Sequence, residues 1–273
     1  MNLMYSVLMS LYYKENASFL KTSILSIINQ TVMPSEIVIV IDGPITDELE
    51  DCLQYFLKRY DTLFKIVRLP HNVGLGLALN EGLKVCSNEL VARMDTDDIS
   101  LVDRCEKQLN EFNKNPKLVM VGTNVDEFYD TPDNITSTRK VPSDYEGIKK
   151  FIKTRSPFNH PTVMYKKSEV LKLGGYKDIK RKEDYELFMR MVVNKMYTLN
   201  IPESLLLFRS NYSAYKRRTS LENCMSYIKV SHGFFKKRYI KVYDFIYVTI
   251  TQIAMFILPF KIVDYLTKKK LRR

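Results

Sequence analysis

The first 122 residues alternate between two hydrophobic periods, and few folds satisfy that alternation. Residues 5–11 (YSVLMSL), 36–41 (EIVIVI), 64–68, 90–94 (LVARM) and 118–122 (LVMVG) are short apolar runs of strand length. Between them, residues 18–29, 46–59, 74–85 and 102–112 read as helices; Phe19, Leu20, Ile24, Ile27 and Ile28 show the helical spacing in the first of them. Thr46 is placed to cap the second helix, with Asp47, Glu48 and Glu50 where the helix dipole favours negative charge. Glycines open the third. Strand and helix in repeated alternation with short links predict a parallel sheet covered by helices.

In such sheets ligands lie beyond the carboxyl ends of the strands. That rule selects residues 12–16, Asp42 and Gly43, residues 71–74, and residues 95–98. Asp95, Asp97 and Asp98 put three carboxylates into four positions. Like charges this close raise one another's pKa unless a cation neutralises them. Carboxylate oxygens select hard ions, Mg²⁺ or Mn²⁺, which also accept phosphate oxygens. A metal–diphosphate site is one reading, and a solvated acidic turn before the next helix is the other. The run Gly74-Leu75-Gly76-Leu77-Ala78-Leu79 lacks the third glycine of a dinucleotide fingerprint and follows the third strand, which argues against a nicotinamide enzyme.

A second acidic pair, Glu183 and Asp184, opens an apolar-periodic helix after Gly174-Gly175-Tyr176. Carboxylates there can serve as a cap. Beside a reacting carbon, one of them can take the proton of a hydroxyl acceptor as general base. Residues 156–162 (SPFNHPT) read as a polar turn between two strands, with His160 either a site residue or a buried hydrogen-bonded one.

The 273 residues suffice for one large domain or two modest ones. Cys52, Cys86, Cys105 and Cys224 form no paired motif, which fits a reducing compartment. The net charge of +11 is uneven: residues 209–273 hold 15 Lys and Arg against 3 acids, and the remainder nets −1. A basic tail implies an anionic partner. Within it, residues 242–260 (VYDFIYVTITQIAMFILPF) are too apolar for a nucleic-acid arm, so no nucleic-acid partner is expected. Both flanks are basic, so a single span would leave one cluster on the wrong side of the membrane. An in-plane segment keeps both at an anionic surface; a packed helical subdomain is the third possibility. No N-terminal signal is expected, because the first basic residue, Lys14, follows the apolar run.

Taken in order, VLMSLYYKEN, SILSIINQT, EIVIVIDG, HNVGLGLALNEGL, VARMDTDDIS, FNHPTV, and GGY followed by EDYELFMRM resemble family 2 glycosyltransferases of the GT-A fold, over residues 5–208. More narrowly they resemble bacterial enzymes that build O-antigen or capsule repeat units. The resemblance implies an α/β GT-A domain over 1–208, with a mostly parallel nucleotide-binding sheet, and a basic, amphipathic, membrane-associating helical region over 209–273. It places Asp42 at the nucleotide base and Asp95 at the ribose or diphosphate. Asp97, with Asp95, would hold Mn²⁺ or Mg²⁺, and Asp98 would support them. Tyr12, Glu15, Asn72, Gly74 and Arg93 would complete the donor pocket. Asp184 would be the catalytic base, with Glu183 its neighbour. The implied reaction is inverting transfer of a hexose from UDP-glucose or UDP-galactose to a saccharide on a polyprenyl diphosphate, at the cytoplasmic face of the inner membrane. The polar, basic stretch 209–220 would be a flap over the donor. A non-catalytic basic module bound to a membrane surface or to nucleic acid would leave Asp95, Asp97 and Asp184 without a role.

Overall fold

The computed structural model describes residues 3–210, 216, 219–258 and 262. Its N-terminal part follows the expected alternation: β1 (Tyr5–Leu11), α1 (Ala17–Ile28), β2 (Glu36–Ile41), α2 (Asp47–Arg59), β3 (Phe64–Arg68), α3 (Leu75–Val85) and β4 (Leu90–Met94). β5 (Ile99–Ser100), α4 (Arg104–Lys114), β6 (Leu118–Phe128), β7 (Ile135–Arg139) and α5 (Tyr145–Phe151) follow. A 3₁₀ turn (His160–Thr162), β8 (Met164–Lys166), α6 (Lys167–Lys172), α7 (Glu183–Val193) and β9 (Tyr197–Arg209) lead to the C-terminal helices α8 (Leu221–Lys236) and α9 (Val242–Ile257).

The sheet order is β3-β2-β1-β4-β8-β6-β9-β5, with β7 on β6. β3, β2, β1 and β4 are mutually parallel. Beyond β4 the sheet is mixed: β8 runs antiparallel to both β4 and β6, and β6 and β9 are parallel. β6 therefore does not continue the parallel set directly, because β8 stands between it and β4.

Strand alternation sorts the core into two layers. Val7, Met9, Ile37 and Ile39 face one side, with Leu20 and Ile24 of α1, Leu53 and Phe56 of α2, and Leu109 of α4. Leu8, Val38, Val40 and Val91 face the other, with Leu79 and Leu83 of α3, Phe188 of α7, and Val230 and Phe234 of α8. A sheet covered on both faces favours near-continuous apolar runs, which is why Ile37 to Ile41 are buried; Glu36 before them is buried with Lys65 and Ser6 as its partners. α3 lies so close that a Cβ on Gly82 would meet Leu8 Cδ1 at 2.3 Å.

Register then sets the site. Leu11 pairs with Ile41, Met9 with Met94 and Ile41 with Arg68, so the loops after β1, β2, β3 and β4 leave one edge together.

Two sequence expectations need correction. The helix expected from Val102 starts at Arg104, after the short strand β5 pairs with β9. Residues 156–162 do not join two strands; they follow α5 and enter the buried 3₁₀ turn. Their polarity is internal: Asn159 Nδ2 donates to the Thr123 carbonyl at 2.9 Å, and Thr162 Oγ1 accepts from the Thr123 N–H at 3.0 Å. Both side chains satisfy backbone groups of β6 that the short β8 does not reach.

α9 packs on α8 through Phe245, whose ring lies 5.7 Å from Phe235 and 5.6 Å from His232. Among the described residues no helix is long and apolar enough to cross a membrane. Lys261 and residues 268–273 lie outside the described residues, as does most of the flap expected over 209–220.

Candidate active site

Each acid comes from a strand end or a helix start. Asp42, 3% exposed, follows β2. Its carboxylate accepts the backbone N–H of Val73 at 2.7 Å and of Gly74 at 3.1 Å, and its carbonyl accepts from Asn72 Nδ2 at 3.2 Å. Asp42 thus ties the loop after β3 to the end of β2. Each carboxylate oxygen keeps a lone pair for a ligand. The tie needs glycine on both sides: Gly74 has φ 90°, and a Cβ on Gly43 (φ 86°) would lie 2.7 Å from the Asn72 nitrogen.

Glu15 reaches the turn after β4 by accepting from Thr96 Oγ1 at 2.8 Å. Tyr12 lies beside it on the same loop, its ring edge-on to Tyr13 at 6.0 Å. In that turn, ligand oxygens of Asp95, Asp97 and Asp98 all lie within 4.8 Å of one another. Asp98 is fully buried; its Oδ1 accepts the backbone N–H of Arg209 at 2.9 Å, and its Oδ2 has no hydrogen-bond partner. Burial, then the charges of Asp95 and Glu15, push Asp97 up to about 7. Burial, then Asp97 and Asp95, push Asp98 well above the usual carboxylate range. Crowded oxygen donors with an orphaned buried oxygen among them fit a hard divalent cation.

Arg93, one strand position before Met94, is 1% exposed and pairs through Nη2 with Asp95. Its Nε and Nη1 have no hydrogen-bond partner.

Glu183 and Asp184 occupy the first turn of α7, and neither Lys182 nor any other side chain caps it. Glu183 is buried against α3, where a Cβ on Gly76 would meet Glu183 Cβ at 3.0 Å. Burial and the neighbouring Asp184 push Glu183 up to about 7. Asp184 is half-buried, and burial raises its pKa against the pull of Lys182 and Arg93. Asn80 of α3 clamps the turn before α7, donating to the Tyr176 carbonyl and accepting the Tyr176 N–H, each at 2.8 Å. Tyr176 in turn meets His160: its hydroxyl lies 3.0 Å from Nε2. Burial, then Arg93, hold the pKa of His160 well below its ordinary value. His160 is therefore the buried, hydrogen-bonded kind of histidine, although it lines the cavity.

That cavity, of about 330 Å³, is where the two acidic groups meet: Arg93 and Asp95 line one wall, Glu183 and Asp184 another. Tyr12, Glu15, Asp42 and Asn72 sit on the other side of Asp95, along the edge formed by β1 and β2. The sequence expectations placed Arg209 only as the first residue of a flap; in the structure it ends β9, its Nε donates to the Asp97 carbonyl at 2.9 Å and its guanidinium lies 3.7 Å from the Phe19 ring centre. They omitted Gly76, which lets α3 approach Glu183.

A parallel half-sheet, an acid triad after its fourth strand, and a second acidic pair lining the same cavity as Asp95 are the arrangement of a GT-A fold. Residues 6–175 match the glycosyl transferase family 2 domain, and the chain belongs to that family. The UDP-Gal:alpha-D-GlcNAc-diphosphoundecaprenol beta-1,3-galactosyltransferase of Escherichia coli is 38% identical over 98% of this chain and 97% of its own length. The amylovoran biosynthesis glycosyltransferase AmsE of Erwinia amylovora is 36% identical over 79% of each chain. Among solved structures, a mannosyltransferase from Pyrobaculum calidifontis in complex with GDP-Man and Mn²⁺ has the same fold, with a TM-score of 0.64 at 15% identity over 92% of this chain and 69% of that one.

Proposed function

We propose that this glycosyltransferase moves a hexose, with inversion, from a UDP-sugar to a saccharide carried on polyprenyl diphosphate, in the assembly of a bacterial surface polysaccharide. The observation that carries the reading is the cavity shared by Asp95 and Asp184. The donor lies along the edge formed by Tyr12, Glu15, Asp42, Asn72 and Gly74, with Arg93 and Asp95 at its diphosphate end. Galactose is the first choice of sugar, because the Escherichia coli relative of near-equal length uses UDP-galactose.

Asp95, Asp97 and Asp98 would hold Mn²⁺ or Mg²⁺, which when bound supplies Lewis-acid stabilisation of the charge on the departing diphosphate. Asp184 accepts the proton of the acceptor hydroxyl. The acceptor oxygen bonds to the anomeric carbon as the carbon–oxygen bond to the diphosphate breaks, its electron pair leaving with UDP. The helix N-terminus under Asp184 favours its ionised form, and the raised pKa brings it nearer that of the proton it must take. Glu183, buried and packed on Gly76, positions Asp184.

The surface of α9 supports association with the cytoplasmic face of the inner membrane. Tyr243, Ile246, Tyr247, Ile250, Ile253 and Ile257 form an exposed apolar stripe, beside Lys236, Lys237, Arg238 and Lys241. An apolar face edged with cations suits an anionic lipid surface.

The test is thermal unfolding with UDP, GDP, CMP, dTDP and ADP, each with and without Mn²⁺, followed by transfer from UDP-galactose to a soluble GlcNAc-α-diphosphate-alkyl acceptor. A ligand at a hundred times its Kd adds about 2.7 kcal/mol. A Mn²⁺-dependent rise with UDP, and a galactosylated product, are expected. A folded protein that responds to no nucleotide and makes no product overturns the reading in favour of a non-catalytic basic module.

A further inference from the structure

The cavity that Asp95 and Asp184 share is strongly basic. Arg139 and Lys140 at the end of β7, Arg155 after α5, and Arg181 before α7 belong to its lining. Two of them are fixed in place. Arg139 is paired with Glu127 and lies 4.8 Å from the Phe208 ring centre, and Arg181 donates through Nε to Glu222 at 2.9 Å. A guanidinium has five donors, so neither pairing exhausts it. Arg155 is half-buried, over the Phe151 ring at 5.8 Å, and Lys140 is exposed. Arg93 adds a second observation: it is 1% exposed, and its Nε and Nη1 have no partner. Five cations thus line a cavity whose anions are Asp95, Glu183 and Asp184.

Apart from Arg93, which stands at the diphosphate end of the donor edge, these cations come from three chain segments distant in sequence, none of which belongs to that edge. A neutral acceptor sugar needs only hydroxyl partners, and would not call for these cations. An acceptor whose sugar carries a diphosphate does. Such a ligand brings its hydroxyl to the carboxylates and its negative charges to the cations. Arginine and lysine at a phosphate make charge-assisted hydrogen bonds, the stronger kind. The volume of about 330 Å³ falls in the range of small-molecule sites.

We propose that this basic lining binds the diphosphate of the acceptor, with Arg139, Lys140, Arg155 and Arg181 as its cradle, so that the acceptor sugar is seated against Asp184. The proposal rests on the transferase reading above and adds to it the residues that recognise the acceptor's anionic group.

The test uses the full chain with UDP-galactose and two acceptors: GlcNAc-α-diphosphate-alkyl, and the neutral GlcNAc-α-alkyl glycoside. Lys140→Glu, Arg155→Ala and the double variant are compared with wild type; Lys140 is exposed, so its reversal spares the fold. Retention of the Mn²⁺–UDP thermal shift certifies folding and donor binding in each variant. A charge-assisted contact is worth about tenfold in affinity. The wild-type preference in kcat/KM for the diphosphate acceptor is expected to fall at least about tenfold in each single variant and further in the double, through KM for that acceptor. A wild type that transfers to both acceptors without preferring the diphosphate overturns this proposal alone. Variants whose UDP-galactose KM rises instead assign the cations to the donor, and overturn it too. A wild type that transfers to neither acceptor overturns the transferase reading, and this proposal with it.

Discussion

The backbone N–H of Arg209, the last residue of β9, donates to Asp98 Oδ1 at 2.9 Å across 111 positions of chain. The acid triad at the end of β4 is therefore held from the far end of the domain. The Arg209 side chain strengthens the hold: Nε reaches the Asp97 carbonyl, and the guanidinium lies between Phe19 and Phe128, 3.7 Å and 4.6 Å from their ring centres. Arg209→Ala keeps the backbone bond and loses the rest. The expected cost is about 1–3 kcal/mol, a fall of about 2–4 °C in Tm per kcal/mol for a chain of this size. Lysine cannot reproduce a planar group stacked between two rings, so Arg209→Lys is expected to recover less than half of the loss. Thermal unfolding of both variants decides it, and an unchanged Tm in Arg209→Ala removes the strut.

Asp184→Asn is expected to lower kcat by about 10²–10⁴-fold, the range of general base catalysis. The amide keeps the shape of the side chain and cannot take a proton. Because Asp184 lies across the cavity from the donor edge, the Mn²⁺–UDP thermal shift should match wild type. Unchanged turnover in this variant would move the base elsewhere, with Glu183 the first candidate.

The pH dependence of the metal-free protein follows from Asp97 and Glu183, both raised to about 7 from ordinary values of 3.8 and 4.5. The folded chain retains these protons where the unfolded chain has released them. Their contribution to stability is full below about pH 4 and is lost as the pH rises through about 7. Asp97→Asn removes one of the two. Its Tm advantage over wild type should grow between about pH 5 and pH 8, and Mn²⁺ should close the gap by stabilising wild type only. Since Asp97 must ionise to hold the cation, Mn²⁺ affinity should rise with pH through about 7. Calorimetric titrations across that range that give one constant affinity contradict the assignment of Asp97 as a ligand.

Gly76→Ala tests the support beneath the base. The added Cβ would lie 3.0 Å from Glu183 Cβ and 3.1 Å from the Lys177 carbonyl, and a backbone carbonyl cannot swing aside. Overpacking of this kind costs about 1–3 kcal/mol. Displacement of the first turn of α7 should lower kcat at least about tenfold, because positioning on the scale of an ångström matters to the reaction. The KM for UDP-galactose should hold, since the hydrogen bonds that tie Asp42 to the loop after β3 do not involve Glu183. A loss of stability without a loss of kcat would confine Gly76 to packing.

Much of this was legible in the chain alone, and for a physical reason. β1, β2 and β4 are buried on both faces, so their runs are largely apolar, with Ser6, Glu36 and Arg93 the buried polar exceptions, and their parallel order brings Asp42 and Asp95 to one edge. Thr46 caps α2 as its position predicts, accepting the Leu49 N–H at 3.4 Å. Glu183 and Asp184 were legible because a helix start is a local signal. Residues 156–162 were misread because polar side chains look the same whether they face water or satisfy a buried strand. Arg209 was out of reach, since its partners come from loops and elements dozens of positions away and no period points to them. Lys140 and Arg155 gave no sign for the same reason: only β7 and the turn after α5 bring them to Asp184.

The last prediction concerns α9. Of its stripe, Ile250 is 62% exposed and Ile257 69%, whereas Val248, on the face toward α8, is 1% exposed. A helix in water gains nothing by presenting six large apolar side chains on one side, and burying one of them in an apolar phase contributes about 1.5–3 kcal/mol. Ile250→Asp forfeits that term and adds a negative charge facing anionic lipid, so binding to vesicles should weaken more than about tenfold. The fold should be unaffected, because Ile250 is 62% exposed. Binding should need anionic lipid and should fall as salt rises, because Lys236, Lys237, Arg238 and Lys241 act across a screened distance of about 10 Å at 0.1 M. Flotation with vesicles of phosphatidylglycerol and of phosphatidylcholine, for wild type and Ile250→Asp, separates the two contributions. Equal flotation of both proteins removes the stripe from the contact and leaves the cations alone. Absence of flotation, together with salt-steep binding to DNA, would assign the basic region to nucleic acid instead.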